Sequence, residues 1–176
     1  VFIHTKITEL TKQHTLNNMQ TIVEERSKII ENYVNDTENY LTAYSRAGEI
    51  TDLLLNPEDF KATEKVQKYT EVFSTDKENL EGIYVSRWDT HVLAHTNPEV
   101  VGITTRKDEA LKALQDAMLA SDGVYNAGMI MSPASNKQVI SMYRACYDAS
   151  GKPIGFVGGG IYTTGLICDL ENLSIK

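Results

Sequence analysis

The stretch Met142-Tyr-Arg-Ala-Cys-Tyr-Asp-Ala-Ser-Gly-Lys-Pro-Ile-Gly-Phe-Val-Gly-Gly-Gly-Ile-Tyr162 decides the fold. It reads as two β-strands joined by a polar turn. Val139, Tyr143 and Tyr147 keep one phase of a two-residue alternation up to Asp148-Ala-Ser-Gly151, where Gly151 is free to take positive φ. Pro153 opens the return strand, a position where its missing N–H is tolerated. A second hairpin is expected over Leu80–Asn97, with strands Leu80–Ser86 and Val92–Thr96 around Trp88-Asp-Thr90 and Pro98 closing the second strand.

Before both hairpins lies a long helical pattern. From about Thr5 to Leu55, Ile7, Leu10, His14, Ile22, Arg26, Ile29, Tyr33, Tyr40, Tyr44 and Ala47 recur at near-3.5 spacing, with no Pro or Gly before Gly48. Fifty helical residues extend roughly 75 Å, more than a compact domain of this size covers. A parallel homodimer through this helix is the simple consequence, with His14, Asn17 and Asn18 making the seam loose. Asn56-Pro-Glu-Asp59 is expected to cap a further helix to about Phe73. Asp108–Ala120 reads as an amphipathic helix. Gly128–Ser132, Gln138–Tyr147 and Gly155–Thr163 read as the remaining strands. Five strands with helices before and among them make an α+β domain with an antiparallel sheet.

Composition limits the partners. A formal charge of −7 opposes a nucleic-acid surface. No run of about 18 apolar residues offers a membrane span. The start at Val1-Phe-Ile3, without methionine, reads as an excised piece of a longer protein. Cys146 and Cys168 can form one disulfide in an oxidising compartment or remain buried free thiols, and the second reading is preferred.

Catalytic readings fail on geometry, and no catalytic residue, metal site or cofactor is expected. His91 and His95 lie about 13 Å apart if they are on a strand, too far to share an ion. No Gly-x-Ser-x-Gly elbow exists, Gly151-Lys152 lacks a phosphate loop around it, and Gly155–Gly160 closes a strand instead of opening a helix.

The segments Gly82-Ile-Tyr-Val and Val92-Leu-Ala-His-Thr-Asn-Pro-Glu-Val-Val-Gly102 resemble the first hairpin of bacterial Cache domains, which are extracytoplasmic PAS-like sensors. Tyr147-Asp-Ala-Ser-Gly-Lys-Pro-Ile-Gly-Phe-Val-Gly159 resembles their last hairpin. With the leading helix, the likeness covers nearly the whole chain and matches a single-Cache arrangement. It implies a long N-terminal helix packed on a five-stranded antiparallel PAS-like (Cache) sheet, with a small-molecule pocket on the other face. The expected division is 1–55 as a signalling and dimerisation helix and 56–176 as the ligand-binding domain, together one structural unit. The resemblance implies the extracellular or periplasmic part of a membrane receptor (chemoreceptor, histidine kinase or diguanylate cyclase type), with flanking transmembrane helices outside this chain.

Strand alternation sorts the candidate ligand groups. Ile140, Met142, Arg144 and Cys146 share a face, which a tight turn sets opposite Ile154, Phe156, Gly158, Gly160 and Tyr162. Arg144 is then a pocket residue unless an acid such as Glu81 pairs with it or it reaches solvent at the strand end, and Tyr143 packs on the long helix. In amino-acid-binding members of the family an aspartate near the end of the last strand holds the ligand amine. That position falls on Gly160, and their Arg-x-Trp-Tyr run is absent from Ile103–Tyr125. Both departures speak against an α-amino acid. Arg106 from the loop before the helix joins Arg144 as a fork for a planar anion. The expected ligand is a small carboxylate, held by a site drawn from Tyr84, Trp88, His95, Arg106, Ser132, Met142, Arg144 and Gly160. Trp88 is either a lid over the pocket or a packing plug against the dimer helix, and His95 either a ligand group or a satisfied half-buried histidine. An uncharged planar heterocycle such as a nucleobase, or a ligand-free dimerisation module, is the alternative.

Overall fold

The computed structural model describes residues 2–132 and 135–173, with side chains from residue 6 onward. The start at Val1 therefore lies outside the described residues. Two compact units emerge, 1–35 with 166–176, and 36–165. Helix α1 runs Phe2–Ser45 and is followed by α2 (Gly48–Leu55) and α3 (Phe60–Ser74). The single helix expected to Leu55 is thus interrupted at Ala47, whose backbone is extended (φ −64°, ψ 130°). Gly48, the first glycine of the chain, follows at once and weakens helix propagation at that point. Asp59, not Asn56, caps α3: its Oδ1 accepts the N–H groups of Lys61 at 2.9 Å and Ala62 at 3.3 Å.

Strands β1 (Leu80–Arg87) and β2 (Val92–His95) form the first hairpin, then come a short 3-10 turn at Pro98–Val100 and α4 (Asp108–Ala120). Strands β3 (Val124–Met131), β4 (Gln138–Tyr147) and β5 (Pro153–Tyr162) follow, then α5 (Thr163–Asn172), which has no counterpart in the sequence reading. The sheet order is β2-β1-β5-β4-β3, antiparallel throughout. The α+β architecture with a five-stranded antiparallel sheet is the one expected.

In the first unit, the described apolar side chains of α1 stand largely in solvent: Ile7, Leu10, Leu16, Met19, Ile22, Val23 and Ile30 are all exposed. The second unit holds the main core. β5 is buried along both faces from Gly155 to Ile161, as a central strand covered on two sides must be. One face carries Ile83, Val85, Ile140, Met142, Val157 and Ile161, buried together with Leu41, Tyr44, Ile50, Leu53 and Val66 from the helices. Tyr44 is fully buried, stacks on Tyr69 with centroids 5.7 Å apart, and shares a hydrogen bond with the Thr70 hydroxyl. The other face carries Phe156, Tyr143 and Ala145 against Leu114 and Met118 of α4.

Gly155 marks the tightest approach of helix to sheet. A Cβ there would clash with Leu54 Cδ2 and meet the Ser86 carbonyl oxygen at 2.5 Å. The leucine tip can yield; the backbone oxygen, fixed in the β1–β5 ladder, cannot. Gly155→Ala is expected to cost about 1–3 kcal/mol by overpacking, read as a lower urea midpoint with an unchanged slope.

Both cysteines are free thiols, Cys146 buried and Cys168 exposed. Burial pushes the Cys146 thiol up to about 11, with the Arg144 guanidinium opposing, so it is inert at neutral pH. No helix among the described residues is long and apolar enough to cross a membrane.

Candidate functional site

A β-bulge decides which residues face which side. Tyr147 pairs with Pro153, and a regular ladder from there would set Arg144 opposite Phe156 and Met142 opposite Gly158. The register instead shifts between Cys146 and Tyr147, so Cys146 pairs with Gly155, Arg144 with Val157, Tyr143 with Gly158 and Ser141 with Gly160. A one-residue slip moves every side chain to the opposite face. Met142 and Arg144 therefore belong to the helix-covered face, which corrects their assignment to a pocket. Met142 is fully buried there, and Arg144 Nε donates to Ser45 Oγ at 3.1 Å instead of pairing with Glu81. Tyr143 takes the place expected for Arg144.

On the face that carries Tyr143 lies a cavity of about 370 Å³. Its floor is the glycine-rich part of β5 with Ser141 and Tyr143 of β4 and Gly82 and Tyr84 of β1; its rim includes His95, Arg106, Ser132 and Tyr162. Five of the expected residues, Tyr84, His95, Arg106, Ser132 and Gly160, line one space. Trp88 does not: it packs beside the Leu114–Phe156 cluster, and Gln115 Nε2 donates to its carbonyl at 2.9 Å. Trp88 thus packs where α4 meets the sheet, and neither as a lid on the cavity nor in the place expected of a plug against the long helix.

The glycines of β5 are spaces used by neighbours. A Cβ on Gly158 would collide with Tyr84 Cζ, so the phenol ring lies flat across that residue. Phe156 meets Tyr84 and Tyr143 edge-on, each at 6.1 Å. Burial, then the nearby Tyr143 phenol, push the Tyr84 hydroxyl above its ordinary range, with Arg106 opposing. Tyr84 is accordingly a neutral hydrogen-bonding group at any physiological pH.

Arg106 is fixed from two directions. Its backbone N–H donates to Thr90 Oγ1 at 2.9 Å, and the same hydroxyl donates to the Arg106 carbonyl at 3.1 Å. Thr90, fully buried and at φ 66°, anchors the loop from the hairpin turn. The guanidinium lies over the Tyr143 ring, 5.3 Å from its centroid, and donates to its hydroxyl at 2.9 Å. Among the described residues no carboxylate pairs with it. A guanidinium held in place with unused donors is suited to a planar anion.

His95 stacks on Tyr84 at 5.2 Å, and its Nδ1 accepts the Asn97 N–H at 2.8 Å. Gln67 clamps its backbone, Oε1 accepting from the N–H at 3.0 Å and Nε2 donating to the carbonyl at 2.9 Å. Burial lowers the His95 pKa below its ordinary 6.5, with Glu81 opposing. The folded state therefore favours the neutral ring. Stability from this group is fully present above about pH 6.5 and falls as pH drops toward the depressed value. Thermal melts from pH 7.5 to 5.5 are expected to show this loss in the wild type and a flatter profile in His95→Gln.

Glu81 was missed as a lining residue. β1 bulges between Leu80 and Gly82 in its pairing with β5: Leu80 faces Ile161 and Gly82 faces Gly160, leaving Glu81 as the extra residue. The bulge turns its carboxylate into the cavity, and a Cβ on Gly160 would collide with Glu81 Oε2. Glycine immediately after a charged residue inside an apolar strand is the sequence signal for such a bulge. The register shift also accounts for Ser141 and Tyr143, which the unbroken alternation assigns to the other face, whereas Tyr162 lies on the β5 face where it was expected but outside the expected set of ligand groups.

No protein-family model and no curated protein matches the sequence. Solved structures do match. The sensor domain of the Vibrio cholerae histidine kinase DctB aligns with a TM-score of 0.71 at 13% identity, over 88% of this chain and 58% of that one. The sensory domain of the Campylobacter jejuni chemoreceptor Tlp3 with isoleucine bound aligns with a TM-score of 0.65 at 17% identity, over 88% and 62% of the two chains. The Escherichia coli DcuS sensor domain gives 0.60 at 20% identity, over 84% and 97%. The chain thus spans about three fifths of the DctB and Tlp3 chains and nearly all of the DcuS chain. All three are sensor domains. The long helix, the five-stranded antiparallel sheet and the cavity on the Tyr143 face of that sheet together give this chain the PAS-like Cache fold of those sensor domains.

Proposed function

We propose that this chain is the extracytoplasmic ligand-sensing part of a bacterial transmembrane receptor, and that its sheet cavity binds a small carboxylate. The observation that carries the reading is Arg106. It is fastened by Thr90 and Tyr143, opens on a cavity of about 370 Å³, and has no carboxylate partner among the described residues. That volume falls in the usual range for small-molecule sites. Tyr84, His95, Ser132 and the open surface over Gly160 complete the proposed site. The membrane-spanning helices would lie outside this chain. The exposed apolar side chains of α1 from Ile7 to Ile30 would bury themselves against a second copy, giving a homodimer. No nucleic-acid partner is proposed.

A thermal-shift screen of small carboxylates, amino acids and nucleobases tests the reading. A carboxylate-bearing compound is expected to raise the melting temperature of the wild type and not that of Arg106→Ala. A second reading, an uncharged planar heterocycle, draws on the aromatic lining by Tyr84, His95, Tyr143 and Tyr162. It would show as a nucleobase response that survives Arg106→Ala. Silence toward every compound would favour a ligand-free interaction module.

A further inference from the structure

We infer that His95 is a proton-driven switch in the cavity wall: its neutral ring ties down the turn after β2, and its protonated ring releases that turn and pairs with Glu81 instead. The device works whatever ligand the cavity takes.

The tie is a hydrogen bond that only a neutral imidazole can make. His95 Nδ1 accepts the Asn97 backbone N–H at 2.8 Å, which puts the ring proton on Nε2. An imidazolium carries hydrogen on both nitrogens, so protonation sets two donors against each other and breaks this bond. The bond holds the start of a short segment. Thr96 is fixed to β1, its N–H donating to the Ile83 carbonyl at 3.1 Å, and Gly102 is fixed to β2, its N–H donating to the Val92 carbonyl at 2.8 Å. Between them Asn97 caps the 3-10 turn, its Oδ1 accepting the Glu99 N–H at 3.1 Å and its carbonyl the Val100 N–H at 3.1 Å. Asn97 and Val100 both line the cavity, so release of Asn97 loosens part of its wall.

The second partner is already in place. Glu81 lines the same cavity and forms no ion pair with a described residue. Its Oε1 accepts the Ser135 hydroxyl at 2.6 Å, while no described residue donates to Oε2. A Cβ on Gly82, the next residue, would lie 3.0 Å from His95 Cε1, so the ring stands beside the bulge that carries the acid. Gln67 of α3 holds the His95 N–H and carbonyl, so the ring can turn while its backbone stays.

The other charged and titratable groups around the ring are otherwise engaged. Tyr84, stacked on it, stays neutral, and Tyr143 and Arg106 are bonded to each other. Glu71 of α3 accepts from Gln67 Nε2 at 2.7 Å, and Glu99 belongs to the tied turn. Burial holds the His95 pKa below 6.5, with Glu81 opposing, so the tied form prevails at neutral pH and the change falls on the acid side.

Nitrogen-15 NMR of the ligand-free full chain, titrated from about pH 7.5 to about 4.5, tests this. The His95 ring is expected to show Nε2 protonated and Nδ1 bare at neutral pH. On acidification the Asn97 amide is expected to shift with the same midpoint as the ring, and its protection from hydrogen exchange to fall about tenfold or more. Glu81→Gln removes the charge that attracts the imidazolium and is expected to lower that midpoint by about half a pH unit or more. The wild-type coincidence of ring and amide is decisive alone, should Glu81→Gln fold poorly. An Asn97 amide that does not follow the His95 midpoint, or a ring that stays neutral until the chain unfolds, would overturn the switch. A midpoint unmoved in Glu81→Gln would overturn the pairing with Glu81.

Discussion

Truncating Phe156 to alanine is expected to cost about 3–5 kcal/mol of stability and to lower the melting temperature by roughly 6–20 °C for a chain of this size. The size of the effect follows from where the ring sits. Phe156 is 1% exposed and belongs to the cluster of Leu114, Met118, Tyr143 and Ala145 that joins α4 to the sheet. It also meets Tyr84 and Tyr143, which line the cavity, edge-on, so its loss removes core packing and the support behind those two rings together. Ligand binding should weaken along with stability, because Tyr84 and Tyr143 lose the ring that holds their orientation. Urea denaturation of Phe156→Ala beside Phe60→Ala measures this. Phe60 is 73% exposed, and its truncation should change stability by no more than about 0.5 kcal/mol.

The second large effect is on binding. Arg106→Ala is expected to weaken a carboxylate ligand by about 2–5 kcal/mol, or roughly 30- to several-thousand-fold, since the anion would be left in the cavity without its cation. The fold should tolerate the change. The side chain contributes one hydrogen bond to Tyr143, whose hydroxyl also accepts from Ser141 Oγ at 3.0 Å, and the loop is anchored through the Arg106 backbone. A stability loss of about 1 kcal/mol is expected. Arg144→Ala is the informative partner. It removes the bond to Ser45 on the helix-covered face and should leave ligand affinity within about threefold of wild type. Calorimetric titration of the two variants against one hit from the screen separates the two faces of the sheet.

The contrast between these arginines shows how far the sequence reading reached. Alternation and turn chemistry located β4 at its full extent, Gln138–Tyr147, and α4 at Asp108–Ala120, because long apolar periodicity survives tertiary context. Alternation alone does not say where a ladder slips. The bulge between Cys146 and Tyr147 is a single extra residue, and it exchanged the roles of Tyr143 and Arg144. The bulge at Glu81 likewise brought into the cavity an acid that its strand phase assigns to the opposite face. Arg106, Tyr84, His95, Ser132 and Gly160 were legible as neighbours because loops and strand ends lie near one another in the resembling fold. The helix break at Ala47 is not legible because the apolar spacing runs on past Gly48, and the cap at Asp59 is not because Asn56 and Asp59 are both cap-forming residue types ahead of α3. Helix α5 escaped because the ten residues Thr163–Asn172 are too short for a firm periodic pattern.

On this structure the ligand meets the Tyr143 face and its Arg106, not the Arg144 face. Side-chain Nε–H resonances of the two arginines, followed by NMR as an amino acid or carboxylate hit is titrated in, test it directly. A saturable shift of the Arg106 resonance with the Arg144 resonance unmoved is expected; a shift of Arg144 with Arg106 unmoved would contradict binding on the Tyr143 face.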